Sequence, residues 1–273
     1  MLVKKMYWLI ATIGWAACPY LKSIQHHQLK SKQIMEASGL VAHKNTLWMH
    51  NDSGDSARVF AHNLRNQETR IHPMSTIKAQ DWEDIAINRE NEILYIADTG
   101  DNLEHRTNAK IISYDIKTQK SSVIPISFEN GSIDVEAIAW DPIEKKILLM
   151  SKGRKGTVHT FSFSPKNPPT APLQSINQFS ISPANGLNPE RITAMDISPD
   201  GAYVAARNYI ELFLWERKPG TSIVQTIQKN PCTYPLPAQK QGESIGFDDT
   251  GSSLWTVSEG KHQPIIELQL LRE

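Results

Sequence analysis

Short apolar runs alternate with polar turns along the chain, and the pattern recurs. Five segments share one form, an oxygen-bearing or small residue followed by apolar ones. They are Ser38-Gly-Leu-Val-Ala, Glu83-Asp-Ile-Ala-Ile, Glu136-Ala-Ile-Ala-Trp, Thr193-Ala-Met-Asp-Ile and Glu243-Ser-Ile-Gly-Phe. Each runs into a turn rich in Asn, Asp, Gly or Pro, such as Ser198-Pro-Asp-Gly or Asp248-Asp-Thr-Gly, which are hairpin compositions. A second apolar run follows: Leu47-Trp-Met, Leu94-Tyr-Ile, Leu148-Leu-Met, Tyr203-Val-Ala and Leu254-Trp-Thr. The segment starts lie 45, 53, 57 and 50 residues apart, a spacing typical of propeller blades. The second unit predicts strands over 83–88, 92–98, 110–116 and 121–128, and the third over 136–140, 146–151, 157–163 and 174–181. The fifth unit supplies only three. A strand over Gln28–Ile34, ahead of the first unit, would complete it and close the ring. The expected fold is all-β, a five-bladed β-propeller closed by an N-terminal strand, with 28–273 as a single domain. Jelly rolls and other sandwiches predict neither the period nor the stray strand.

Composition narrows the function classes. The chain has 29 Lys plus Arg and 29 Asp plus Glu, so no global charge draws it to nucleic acid or an anionic membrane. At 40% hydrophobic and 21% charged residues it is too apolar for a disordered chain. Two cysteines cannot make a disulfide scaffold. The first residues have a basic start, an apolar run from Met6 to Ala17 and a small-residue exit before Cys18. Residues 1–17 therefore read as a signal peptide, and 18–27 as a polar tether. The exit Trp15-Ala16-Ala17-Cys18 resembles a bacterial lipobox, which implies lipidation of Cys18. The expectation is an exported protein, periplasmic or an outer-membrane lipoprotein, touching a membrane only through that anchor and acting as a monomer. A Cys18–Cys232 disulfide is the competing reading.

The first strand of a propeller blade lines the central channel, so equivalent positions converge on one axis. That column is Ser38, Glu83, Glu136, Thr193 and Glu243. Three carboxylates in a narrow channel repel and are costly to desolvate. Protons, a cation or a basic partner must compensate them. A hard cation with oxygen ligands suits the inventory, and calcium suits a set without His or Cys better than zinc does. The five are expected to hold calcium. Loops after each second strand open on the same face. They align Asn51, Asp98, Lys152, Arg207 and Ser258, then Asp52, Thr99, Gly153, Asn208 and Glu259. Bases beside carboxylates and a cation suit an anionic substrate. Asp52, Asp98 and Asp101 are the expected catalytic group, orienting or deprotonating a water. Lys152, Arg207, Asn208 and Glu259 are the expected substrate-binding set. The same Asp-Ser-Gly-Asp and Asp-Thr-Gly-Asp words are also plain turn sequences. Gly242-Glu-Ser244-Ile-Gly246 matches a nucleophile-elbow string, but it falls at an inner-strand start rather than a strand–turn–helix.

The order Ser38, Glu83, Glu136, Thr193, Glu243 resembles the axial calcium ligands of the calcium-activated nucleotidases (apyrases), whose five blades contribute Ser, Glu, Glu, Ser and Glu. The words Met35-Glu-Ala-Ser38 and Asp81-Trp-Glu83 are similar too. Thr193 keeps the hydroxyl of the serine it replaces. The family's glycine-lysine-glutamate segment stands here as Thr99-Gly-Asp101-Asn102. Asn51-Asp-Ser-Gly-Asp and Gln241-Gly-Glu-Ser also resemble an uncharacterised group of exported bacterial propellers, with phytase-like and esterase-like propellers as looser relatives. These resemblances imply a calcium-binding propeller that hydrolyses phosphoesters or phosphoanhydrides. Two alternatives stand beside it. One is a non-catalytic binding or assembly propeller with structural calcium, docking an envelope component. The other is a lactonase-like or esterase-like hydrolase.

Overall fold

In a computed structural model, residues 18–153, 157–180 and 191–271 are described. The expected signal peptide, 1–17, lies outside them. The strands form five four-stranded antiparallel sheets. Blade 1 comprises Ala37–His43, Thr46–Asn51, Arg58–Asn63 and Thr69–Pro73. Blade 2 comprises Trp82–Asn88, Ile93–Asp98, Lys110–Asp115 and Ser121–Pro125. Blade 3 comprises Val135–Asp141, Lys146–Ser151, Val158–Phe163 and Asn177–Phe179. Blade 4 comprises Ala194–Ile197, Tyr203–Arg207, Glu211–Glu216 and Cys232–Pro235. Blade 5 runs outward from Gly246–Phe247 through Ser253–Thr256 and Pro264–Leu271 to the N-terminal strand Tyr20–Gln28. The five inner strands touch in a closed ring. The expected five-bladed propeller is the fold.

The continuous apolar runs follow from this architecture. A propeller strand is covered on both faces, by the preceding and the following blade, so its period-two alternation sorts residues between two cores rather than between core and water. In blade 2, Leu94 and Ile96 pack toward blade 1 while Tyr95 and Ala97 pack toward blade 3. In blade 3, Ile147 and Leu149 face blade 2 while Leu148 and Met150 face blade 4. The described core is accordingly five apolar clusters, one between each pair of neighbouring blades.

The closing strand lies earlier in the chain than expected. Tyr20–Gln28 pairs antiparallel with Pro264–Leu271, from Tyr20 opposite Leu271 to Gln28 opposite Pro264. Residues 18–27 are therefore not a tether, and 28–34 is not the strand. An outermost strand has solvent beside it and is kept polar against edge-to-edge association. Lys22, Gln25, His26 and His27 do this, and for that reason they resemble a linker. Leu29 and Ile34 instead plug the core between blades 5 and 1.

Lipidation of Cys18 is also corrected. Cys18 and Cys232 form a disulfide across 214 residues, so the Cys18 sulfur is not available for a thioether. The bond ties the chain just before the closing strand of blade 5 to the outermost strand of blade 4. It holds the clasp by a covalent link as well as by the ladder. Cys232→Ser is expected to cost about 3 kcal/mol of stability. Denaturant melts with and without reductant check this, and the variant should melt like the reduced wild type.

Candidate functional site: a carboxylate-lined mouth on the axis

The inner strands of blades 1, 2 and 3 each carry a β-bulge at the channel end. The register shifts between Ala37 and Leu40, between Trp82 and Ile85, and between Val135 and Ala137. A bulge sets two residues against one and re-aims a side chain. Consecutive residues of an unbroken strand point to opposite faces, but Glu83 and Asp84 both serve the axis. Glu83 lines the mouth. Asp84 lies deeper, fully buried, and accepts the backbone N–H of Ile85 (2.8 Å), Ile138 (3.0 Å) and Met195 (3.1 Å). It ties the inner strands of blades 2, 3 and 4 together. Asp196 repeats the device, accepting from Ile197 and Phe247 at 2.8 Å each. Arg89 closes the far end, donating to the carbonyls of Ala42 and Phe247 and to Asp249.

Above this plug opens a cavity of about 510 Å³, lined by Asp52, Glu83, Glu136, Glu243, Lys152, Arg191, Tyr209, Gln241 and Asn102. Three of the five column residues, Glu83, Glu136 and Glu243, thus meet at the mouth as expected. Ser38 and Thr193 do not line it. Their hydroxyls turn to the next blade, Ser38 donating to the Glu83 carbonyl and Thr193 to the Gly242 carbonyl at 3.4 Å.

Further carboxylates join the three glutamates. Oxygens of Glu83, Asp134 and Glu136 lie within 4.8 Å of one another, as do those of Asp52, Asp81 and Glu83 and those of Asp52, Glu243 and Glu259. The three triplets share members and form one arc. Burial and mutual repulsion disfavour the charged forms of Asp52, Asp81, Glu83, Glu136 and Glu259. Burial, then Glu136, pushes Glu83 well above the ordinary carboxylate range. Burial raises Glu136 to about 8 against the pull of Lys152. Asp52 rises to about 7 through burial, with Glu243, Asp81 and Glu36 adding to it. Glu259 rises to about 8 through burial and a hydrogen bond shared with Glu243. Asp52 Oδ1 is buried without a hydrogen-bond partner among the described residues. Gly100 approaches so closely that a Cβ there would overlap Glu83 Oε1 and the Asp81 carboxyl. No side chain fits between that loop and the arc.

Bases are few. Lys152 bonds Glu136, and its Nζ lies 4.0 Å from Asp134. Burial works against its charge, but Glu136 and Asp134 outweigh burial and hold its pKa above the usual range. Arg191 is exposed at the rim. Tyr209 donates to Glu243 at 3.1 Å, and burial raises its pKa.

Four expected site residues are internal instead. Asp98 is fully buried, pairs with Arg106 and Lys110, and accepts the N–H groups of Gln80 and Asp81. It positions the segment carrying Asp81 and cannot reach a substrate. Asp101 accepts from the N–H groups of His105 and Arg106, locking its own loop. Arg207 is fully buried and donates to Asn208 O, Gln239 Oε1, Ser244 O, Thr256 Oγ1 and Tyr209 O. Burial lowers its pKa to about 9, so it stays cationic at neutral pH. Asn208 caps the N–H groups of Ile210 and Glu211. Asn and Asp turn words carry the same letters whether they bind a ligand or cap a loop, and here they cap. Ser244 is no nucleophile either, being fully buried with its hydroxyl on the Val257 carbonyl.

Asp81, Asp134, Tyr209 and Arg191 were not singled out as site residues in the sequence. Asp81 and Asp134 each lie two residues before a column glutamate, at positions 83 and 136. That shared spacing is the signal that could have found them.

No family model matches the sequence, and no curated protein matches it. Solved structures do match. The PQQ-bound aldose sugar dehydrogenase of Streptomyces coelicolor aligns over 92% of this chain and 99% of its own, with 10% identity and a TM-score of 0.51. A protein of unknown function from Bacteroides thetaiotaomicron aligns over 92% of this chain and 76% of its own, with 10% identity and a TM-score of 0.54. At that identity the likeness is one of fold.

Proposed function

We propose that this propeller binds a calcium-class cation at its axial mouth and uses it to hydrolyse an anionic phosphoester or phosphoanhydride. The observation that carries the reading is the arc of seven carboxylates, four of which (Asp52, Glu83, Glu136 and Glu243) line one cavity together with two bases. Beyond Lys152, which pairs with Glu136, such a set calls for protons or a hard cation to compensate it. The cation would be held by Glu83, Glu136 and Asp134, with Asp81 and Asp52 beside them. When bound it supplies charge to a substrate oxygen. Asp52, ionised beside such a cation, would be the group to accept a proton from water. Lys152 and Arg191, the two bases at the mouth, would hold the substrate's anionic oxygens. The Cys18–Cys232 disulfide supports export, because such bonds persist in oxidising compartments.

Turnover of nucleoside di- and triphosphates, phytate, aryl esters and lactones, with calcium and with a chelator, tests the reading. Calcium-dependent release of phosphate is expected. Asp52→Asn should lower kcat by about 10²-fold or more, whereas hydrolysis only of esters or lactones would move the reaction to the esterase-like class. One observation favours a second reading, a binding propeller with structural calcium: Asp98, Asp101 and Arg207 are all internal, which leaves few groups for chemistry. Calcium-dependent stability without any turnover is the outcome that selects it.

A further inference from the structure

A second cavity, of about 400 Å³, opens beside the mouth on the flank of blade 3. Its character differs. Phe128, Phe161 and Leu173, all buried, form an apolar floor. The two phenyl rings lie 4.7 Å apart between centroids, tilted by 52°. The His159 ring stands 6.4 Å from that of Phe161 between centroids, with the planes 20° apart. Asn130 and Gln178 stand exposed at the rim.

The two cavities meet at Lys152, which lines both. Asp134 lines this cavity and also belongs to the Glu83–Asp134–Glu136 triplet. An ammonium has three donors, and Lys152, with its Nζ on Glu136, lies where the two cavities adjoin. A molecule with its anionic head at Lys152 therefore has its remaining bulk directed either into the polar mouth or across the floor. The floor rewards a flat apolar group, by burying it and by offset or edge contacts with aromatic rings, more than the mouth does, where Tyr209 is the one aromatic among the described lining residues.

We infer that the blade 3 cavity is a ring subsite, and that the ligand of this protein is an anion bearing a flat aromatic ring rather than a purely polar polyanion. The inference rests on the proposed use of the mouth for an anionic group, and it narrows the substrate class. Asn130 stands at the rim of the subsite, and Phe128, Phe161 and Leu173 form its floor.

Calorimetric binding of 2-naphthylphosphonate and methylphosphonate to the full chain, each in calcium and in chelator, tests it. The naphthyl compound is expected to bind roughly tenfold tighter or more. Asn130→Trp, which fills the rim from an exposed turn, should remove that preference and leave methylphosphonate affinity unchanged. Phe161→Leu should reduce the preference, with thermal melts confirming its fold. Equal affinities for the two probes, binding of neither, or a naphthyl preference untouched by both variants overturns the inference. The calcium arm separates this from the function it rests on. A naphthyl preference identical in calcium and chelator keeps the subsite and counts against the cation, whereas calcium-dependent binding without ring preference does the reverse.

Discussion

Arg207→Ala should destabilise the protein by at least about 4 kcal/mol, because each buried acceptor left unpaired costs about 1–3 kcal/mol. Arg207 serves five acceptors from a fully buried position. Two of them, Ser244 O and Thr256 Oγ1, belong to the segments that build blade 5, while Arg207 belongs to blade 4. Truncation therefore loosens the joint beside the closing clasp. Arg207→Lys should recover only part of the loss, since an ammonium cannot reproduce the planar fork. Arg191→Ala is the contrast. That exposed side chain should change stability by less than about 0.5 kcal/mol while weakening anion binding. Urea unfolding of the three variants decides the matter. Wild-type stability in Arg207→Ala, with lost anion binding, would return Arg207 to the substrate-binding set.

In chelator, raising the pH from 5 to 8 should lower the melting temperature. Asp52 titrates at about 7 in the folded chain, and Glu136 and Glu259 at about 8, all above their unfolded values. The native state thus holds protons that the unfolded state has released. Where the native state binds more protons, stability falls as pH rises. The advantage is complete below the unfolded pKa values, near 4, and is lost as the pH passes the folded ones. Calcium should reverse the trend by taking the place of the protons. A cation at one hundred times its Kd adds about 2.7 kcal/mol, which for a domain this size is about 5–10 °C. The gain should be largest at pH 8 and small at pH 5, where calcium must displace protons. Glu83→Gln should melt higher than wild type in chelator at pH 8 and gain little from calcium. Calcium-independent melts at pH 8, in metal-stripped protein, would remove the cation from the mouth.

Much of the architecture was legible because a propeller writes its period into the chain. The segment starts at Ser38, Glu83, Glu136, Thr193 and Glu243 all fall at the channel ends of inner strands, and the apolar runs between them mark strands covered on both faces. The closing strand was harder to read, since an edge strand is polar for the same reason that a linker is. The site was legible only in part. Glu83, Glu136, Glu243, Asp52, Lys152 and Glu259 do gather at the mouth. Asp98, Arg207 and Asn208 occupy equivalent loop positions and Asp101 follows in the same loop as Asp98, yet their side chains turn inward to satisfy backbone groups.

The sequence by itself determined the number of blades, the inner-strand positions and the concentration of carboxylates at the axis, because these depend on periodicity, which is local and repeats. Only the tertiary structure decided which polar residues face the cavity. That depends on the bulges at Glu83 and Glu136 and on which buried N–H groups needed an acceptor, and the tertiary structure likewise decided the pairing of Cys18 with Cys232. Each is a contact between distant parts of the chain, and no local pattern encodes its partner.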